Sequence, residues 1–278
     1  MRLLVWLMLK LGRRVARILL YPICAYFVLF SSRTRRASAG YLQRALGRRA
    51  RLRDVFGHYH AFASTIQDRV YLVAGKYRDF DVAIHDPAET RARLRRGRGC
   101  ILLGSHLGSF EVLRARGIAD GLPVNLLMYV DNSEKIDGVL RPLSPGIESR
   151  IIPLGGPDSL LRVHECLARG EVVGMLGDRA FRNERTCRCD FLGAPASFPL
   201  GPLLLAGLLQ APVVLVFGLY LGGGRYEIRL EPFADAIALD PREREASVRP
   251  WVERYARRLE HHCRVAPYNW FNFYDYWA

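Results

Sequence analysis

The chain has 278 residues, of which 50% are hydrophobic and 11% aromatic, and it carries a formal net charge of +14 at pH 7. This length and composition exclude an intrinsically disordered chain and allow one full hydrophobic core, alone or with a short appendage. The charge is uneven, because residues 1–99 contain 21 Lys and Arg against 6 Asp and Glu, whereas residues 100–278 contain 20 against 21. The excess positive charge therefore belongs to the N-terminal third.

The first 30 residues are mostly apolar but contain several basic residues, namely Lys10, Arg13, Arg14 and Arg17. The uninterrupted apolar run at 18–30 has 13 residues. As a helix it would be about 20 Å long, shorter than the roughly 30 Å of hydrocarbon in a bilayer. The pattern favours a segment that lies at a membrane surface over one that spans the membrane. A secretory signal is the alternative, but no small-residue cleavage site follows the run.

Eight arginines and no acidic residue lie between positions 33 and 53; they are Arg33, Arg35, Arg36, Arg44, Arg48, Arg49, Arg51 and Arg53. Such a run suits the phosphates of anionic lipids or of nucleic acid. The apolar segment directly upstream favours an anionic membrane surface as the partner, so we do not expect nucleic-acid binding. An ordinary solvated helix face is the alternative.

Beyond this region, runs of strand length alternate with helical patterns. Strands are predicted at 79–85, 100–103, 124–129, 172–176 and 212–221, with 226–230 completing an antiparallel hairpin at a sheet edge. Helices are predicted at 38–77, 87–96, 110–120, 158–168, 200–209 and 247–263, and loops at 141–157 and 191–202. This alternation predicts one α/β domain over residues 31–278, with a mostly parallel mixed sheet flanked by helices. A membrane-associated helical segment is predicted over residues 1–30.

The strongest candidate site lies where the strand at 100–103 gives way to a helix, an edge at which α/β folds often bind ligands. His106 and Glu111 are five positions apart there. A carboxylate bonded to the far ring nitrogen would fix the tautomer of His106 and make it a general base. The alternative is a core histidine beside an unrelated glutamate. Backbone amides near Gly104 or Gly108 are possible donors to an oxyanion.

A second candidate is the pair Asp178 and Arg179, which follows the buried strand at 172–176. The carboxyl end of that strand should face the same cleft as His106. Arg179 has the forked donor geometry that suits a phosphate or carboxylate of a substrate. A purely structural salt bridge between Asp178 and Arg179 is the alternative.

We predict no metal site, because Cys187-Arg-Cys189 lacks a second ligand pair at zinc spacing. His58 and His60 are interpreted as packing or surface groups, since no carboxylate or cysteine stands at ligand spacing on the same helix face. The aromatic C-terminus, from Tyr268 to Trp277, would line an apolar channel, sit at the membrane interface or simply pack in the core.

The segments around His106 and Asp178, in this order along the chain, resemble motifs of the lysophospholipid acyltransferase superfamily. The resemblance is to the branch that contains the late (secondary) acyltransferases of lipid A biosynthesis in particular. The H-x4-E block of that family falls on His106 and Glu111, and its acidic-Arg block falls on Asp178 and Arg179. The resemblance covers about residues 1–278. One departure is Leu200, which stands where the superfamily has the glutamate of a Phe-Pro-Glu-Gly block.

The resemblance implies acyl transfer from a thioester, carried by acyl carrier protein or coenzyme A, to a hydroxyl of an envelope lipid or glycolipid. It places this reaction at the cytoplasmic face of a bacterial inner membrane and requires no metal or organic cofactor. His106 and Glu111 would be catalytic, and Asp178, Arg179 and Ser109 would bind substrate. A membrane-bound esterase or thioesterase with the same dyad, and a non-catalytic basic membrane-binding protein, are the alternatives.

Overall fold

The computed structural model describes residues 2–86, 90, 99–113, 124–129, 150–155, 158–181 and 184–278. Its helices are α1 (Arg2–Ile18), α2 (Leu20–Phe30), α3 (Ser32–Leu46), α4 (Leu52–Val73), α5 (Ser159–Ala168), α6 (Gly201–Leu208) and α7 (Arg244–Val265). Its strands are β1 (Asp81–His85), β2 (Cys100–Gly104), β3 (Val124–Tyr129), β4 (Ile151–Leu154), β5 (Val172–Leu176), β6 (Thr186–Phe191), β7 (Ala194–Pro199), β8 (Val213–Gly222) and β9 (Arg225–Ala234). A 3₁₀ turn, Tyr77–Asp79, precedes β1.

Seven of these strands form one sheet in the order β1-β9-β8-β2-β5-β3-β4. Every neighbouring pair is parallel except β8 and β9, which form an antiparallel hairpin. The central strand β2 is buried along its whole length, as its unbroken apolar run predicts for a parallel strand covered on both faces. The α/β fold with a mostly parallel mixed sheet flanked by helices is thus confirmed.

The predicted sheet edge at 226–230 is wrong, because β1 pairs with the outer side of β9 through contacts such as Ile84 with Ile228. That pairing joins segments far apart in the chain, so no local pattern reveals it. The loop predicted at 141–157 contains a strand, β4, whose sequence is short and interrupted by Pro153. Apart from Thr90, the helix predicted at 87–96 lies outside the described residues. Most of the helix predicted at 110–120 does so too, although a helical turn does begin at Phe110.

The loop predicted at 191–202 is also wrong, since its first part completes the two-stranded antiparallel ribbon of β6 and β7. Leu192 and Gly193 join the strands with φ angles of 51° and 79°. Two successive residues with positive φ form a tight two-residue turn, and its backbone twist matches that of the two strands it connects. Glycine is the usual residue for this backbone conformation, but a leucine in the first position hides the turn in the sequence.

The N-terminal helices pack onto α4. Arg13 and Arg17 of α1 both form ion pairs with the fully buried Asp68 of α4, at 2.7 and 2.5 Å. Within the described residues, no helix is long and apolar enough by itself to cross a membrane. One bent pair, Gly12–Phe30 with Ser32–Leu46 at 97°, satisfies the length and composition requirement only when its members are taken together. The division between residues 30 and 31 stays a prediction.

Candidate active site

The register of two adjacent parallel strands brings the candidate residues together. Gly104 at the end of β2 pairs with Leu176 at the end of β5. The backbone N–H of Gly177 donates to the Gly104 carbonyl at 3.0 Å and carries the alignment one residue further. His106 and Asp178 each follow two residues after the paired strand ends, so they face each other. The predicted meeting of the two blocks at the carboxyl edge of the sheet therefore has a simple structural basis.

The side chains of His106 and Asp178 form a hydrogen-bonded pair. The imidazole Nδ1 lies 2.9 Å from Oδ1 of Asp178, and the backbone N–H of His106 donates to Oδ2 at 3.1 Å. Asp178 is completely buried, whereas the His106 side chain is 36% exposed. An ionised carboxylate only accepts hydrogen bonds, so Nδ1 carries a proton, and in the neutral imidazole the lone pair lies on Nε2. The pair therefore presents a basic nitrogen at an accessible position.

The carboxyl group of Asp178 is held in its ionised form. Burial by itself raises the pKa of Asp178, but the charge and hydrogen bond of His106, the charge of Arg179 and the hydrogen bond from Trp270 outweigh burial and lower this pKa to about 2. A carboxylate in contact with Nδ1 stabilises the imidazolium that forms when Nε2 takes up a proton. The arrangement therefore suits general-base chemistry by His106.

The sequence predicts that Glu111 bonds to Nδ1 of His106. In the structure Asp178 takes that position instead. Glu111 is buried in the helical turn that begins at Phe110, and its Oε2 lies 3.3 Å from Nε of Arg69 on α4. The physical reason is the turn at Gly108, which separates His106 from the helix and places the two residues on different elements. The catalytic importance of Glu111 itself stays a prediction.

The turn between His106 and Glu111 is fixed by a close approach to β8. Gly108 has a φ of 71°, and a Cβ at this position would overlap the carbonyl oxygen of Gly218. Its N–H donates to the Asn269 carbonyl at 2.8 Å, and the N–H of Ser109 donates to the Gly218 carbonyl at 2.7 Å. The amide of Gly108 is therefore already used and is not the free oxyanion donor suggested by the sequence. Ser109 is buried beside the same strand.

Three residues of the C-terminal aromatic segment contact His106 or Asp178. The indole N–H of Trp270 donates to Oδ2 of Asp178 at 2.9 Å, and the hydroxyl of Tyr276 donates to the Asp178 carbonyl at 2.6 Å. The backbone N–H of Phe271 donates to the carbonyl of His106 at 2.8 Å. The sequence shows the aromatic density of this segment but no sign of its contact with Asp178. The unusual number of aromatic residues before the C-terminus is the one local feature of the sequence that could have drawn attention to this segment.

Arg179 turns away from its neighbour Asp178. One of its terminal nitrogens donates to the Phe271 carbonyl, and the guanidinium lies 5.6 Å from the ring centroid of Tyr274. The ion pairs of the described residues include none between Arg179 and Asp178, so the simple salt-bridge alternative is wrong. The buried Nε of Arg179 has no hydrogen-bond partner in the described part of the chain. Arg179 therefore keeps a donor for a further acceptor.

Comparison with known proteins gives one family match. The model of one protein family, described as bacterial lipid A biosynthesis acyltransferase, matches residues 3–278. No curated protein matches the chain.

Proposed function

Because the chain belongs to the bacterial lipid A biosynthesis acyltransferase family, we propose that it transfers a fatty acyl group from a thioester to a hydroxyl of an envelope lipid or glycolipid. The thioester is carried by acyl carrier protein or coenzyme A. The observation that carries this proposal is the pairing of His106 with the buried, ionised carboxylate of Asp178 at the carboxyl edge of the sheet. Such a pair activates an external hydroxyl, so the reaction needs no covalent enzyme intermediate.

In the proposed reaction, Nε2 of His106 removes the proton from the acceptor hydroxyl as its oxygen attacks the thioester carbonyl. Asp178 stabilises the imidazolium formed in this step. The tetrahedral intermediate then collapses, the carbon–sulfur bond breaks, and the leaving thiolate takes the proton back from Nε2. The products are an ester of the acceptor lipid and a free thiol, and His106 returns to its starting state.

We assign Arg179 and Ser109 to substrate binding. Arg179 has a buried donor nitrogen without a hydrogen-bond partner among the described residues. A guanidinium binds phosphate or carboxylate oxygens with two parallel donors, which suits an anionic headgroup. Ser109 is buried and follows directly after the turn at Gly108, three residues from His106 in the chain. Glu111 and Arg69 form a second charged pair next to the turn, and we retain Glu111 as a catalytic candidate.

The proposal places the protein at the cytoplasmic face of a bacterial inner membrane. Large apolar side chains of α2 are exposed; they are Tyr21, Ile23, Tyr26, Phe27, Leu29 and Phe30. The arginine-rich stretch at 33–53 begins directly after this helix. Aromatic and aliphatic groups that insert shallowly, next to arginines that contact lipid phosphates, are typical of an interfacial anchor. This surface supports attachment without requiring a spanning helix.

The direct test uses purified full-length protein, a radiolabelled palmitoyl thioester of coenzyme A or acyl carrier protein, and a bacterial envelope lipid extract. We expect label to move into an esterified lipid with the wild-type protein and not with His106→Ala. Label found only in free fatty acid would instead establish the thioesterase alternative. Equal lipid labelling by wild-type and His106→Ala proteins would contradict the proposed role of His106.

A further inference from the structure

The carboxylate of Asp178 receives three N–H donors, and one of them comes from the C-terminal segment. Oδ1 contacts Nδ1 of His106, while Oδ2 accepts the backbone N–H of His106 at 3.1 Å and the indole N–H of Trp270 at 2.9 Å. A carboxylate rotates easily about its bond to Cβ when nothing holds it. Two donors on Oδ2 fix that rotation and thereby direct Oδ1 at the imidazole.

The indole group is suited to this task because it only donates. Its N–H therefore stabilises the ionised, accepting form of Asp178 and cannot pair with a carboxyl O–H. Asp178 is completely buried, so each donor matters more than it would in water. Trp270 thus supports both the orientation and the charge of the group that contacts His106.

Trp270 is itself held rigidly. Its side chain is fully buried and makes edge-to-face contacts with Tyr41, Phe191 and Tyr276 at centroid distances of 5.0, 5.2 and 4.9 Å. Its carbonyl oxygen lies 2.9 Å from Nε2 of His58, a buried histidine on α4. These contacts fix the ring and the backbone together, so the indole N–H has one direction available.

We infer that Trp270 is a positioning residue of the proposed acyl transfer, whose indole N–H orients the Asp178 carboxylate and so keeps the His106 proton on Nδ1. The expected effect of Trp270 on acyl transfer rests on the proposed function. Its expected control of the His106 tautomer does not depend on any substrate. The two can therefore be tested separately.

The chain offers a matched control in Trp277. Its indole N–H also donates to an oxygen, the Phe191 carbonyl at 3.1 Å, within the same aromatic cluster but away from Asp178. The experiment compares Trp270→Phe with Trp277→Phe. A second variant carries 3-benzothienylalanine at position 270, which keeps the bicyclic shape and lacks the N–H. It keeps the test valid where Trp270→Phe fails to fold.

Two readouts are taken on full-length protein. The first is ¹⁵N NMR of histidine-labelled protein, in which the His106 signals are assigned by their loss in His106→Gln. The second is the kcat and KM of lipid acylation with the labelled thioester. Loss of a hydrogen bond to a charged group predicts a fall in kcat of about tenfold to a hundredfold at position 270 with little change in KM. We also expect the His106 proton to distribute between Nδ1 and Nε2.

Trp277→Phe should match the wild type in both readouts. The inference is overturned if the benzothienylalanine variant keeps the wild-type tautomer and kcat, or if the Trp277 control loses as much as the Trp270 variants. Failure of the proposed function gives a different result. Then His106→Ala would acylate lipid as well as the wild type does, whatever the NMR spectra of the Trp270 variants show.

Discussion

Nδ1 of His106 and Oδ1 of Asp178 lie 2.9 Å apart although 72 residues separate them in the chain. The same separation of 72 holds for each pair of residues aligned between β2 and β5. The contact is therefore a continuation of the sheet register into the two loops. Because the sheet fixes both backbones, small changes at these side chains should alter chemistry more than folding.

Asp178→Asn should remove most acyl transfer without unfolding the protein. Trp270 and the His106 amide both donate to Oδ2, so the asparagine carbonyl must take that place. Its NH₂ group then faces Nδ1 of His106, which must accept, and the ring proton moves to Nε2. Replacement of the aspartate by asparagine in Ser-His-Asp enzymes, where the tautomer is disturbed in the same way, lowers kcat by roughly 10⁴-fold. We expect a loss of about 10³- to 10⁴-fold in kcat.

Glu111→Gln is the matched comparison for that variant, since it also exchanges a carboxylate for an amide of the same shape. We expect it to lose less activity than Asp178→Asn. Combining each substitution with His106→Ala measures coupling: only the residue that acts through His106 should add nothing to the double variant. Suppose instead that Glu111→Gln lowers activity more than Asp178→Asn does and causes no further loss in the His106→Ala background. The orienting role would then belong to Glu111.

Arg179→Lys should acylate poorly although it folds normally. A lysine still offers one donor to the Phe271 carbonyl but loses the planar fork that fits an anionic group. We expect kcat/KM to fall by about tenfold to a hundredfold, mainly through KM, with an unchanged melting temperature. Full activity of Arg179→Lys together with unfolding of Arg179→Ala would mean that Arg179 only fastens the C-terminal segment.

Stability should fall between pH 6.5 and 4 in a way that depends on His58. Burial lowers the pKa of His58 from 6.5 to about 4, against a smaller opposing effect of its hydrogen bond to the Trp270 carbonyl. The unfolded chain therefore binds a proton first as the pH drops, and this favours unfolding. The contribution of neutral His58 to the free energy of unfolding is fully present above pH 6.5. It decreases by about 3 kcal/mol towards pH 4.

The measurement for His58 is chemical denaturation of wild-type and His58→Gln proteins across this pH range. Burial also lowers the pKa of His60 and His261, so both proteins keep some pH dependence. The difference between their slopes isolates His58. Identical slopes would show that His58 does not titrate between the folded and unfolded states as described.

Membrane binding should depend on the exposed aromatic side chains of α2. Tyr26 and Phe30 are 58% and 71% exposed, and insertion of each into the interface removes a large apolar surface from water. The double variant Tyr26→Ser, Phe30→Ser should bind anionic vesicles at least about tenfold more weakly in a sedimentation assay. Leu161→Ser, at an equally exposed leucine of α5, is the control and should bind normally. Complete release of the wild type by high salt alone would show that insertion contributes nothing.

The chain pattern predicts the parallel strands well, because runs such as Cys100–Gly104 and Val172–Leu176 are apolar on both faces. It also predicts that His106 and Asp178 lie at the carboxyl edge of the sheet. It does not predict which carboxylate bonds to the imidazole. Glu111 is nearer in the sequence, but strand pairing makes Asp178 nearer in space, and pairing between distant parallel strands leaves no local trace.

The sequence does not reveal the contribution of Trp270 for the same reason. Ninety-two residues separate it from Asp178, and an aromatic C-terminus is compatible with packing, a channel or a membrane interface alike. The sequence does not reveal the β6–β7 ribbon because Leu192 occupies a turn position with positive φ, where glycine or asparagine is the usual residue. In each case the deciding contact is tertiary or the local residue is atypical.

The most direct test of the account is lipid mass spectrometry of cells in which the gene is deleted and then restored as wild type or as His106→Ala. We expect the deletion to remove one acylated envelope lipid, the wild-type protein to restore it, and His106→Ala, produced at the same level, to leave it absent. The mass of the missing species would also identify the acceptor and the acyl chain. Restoration of that lipid by His106→Ala would contradict general-base acyl transfer by His106.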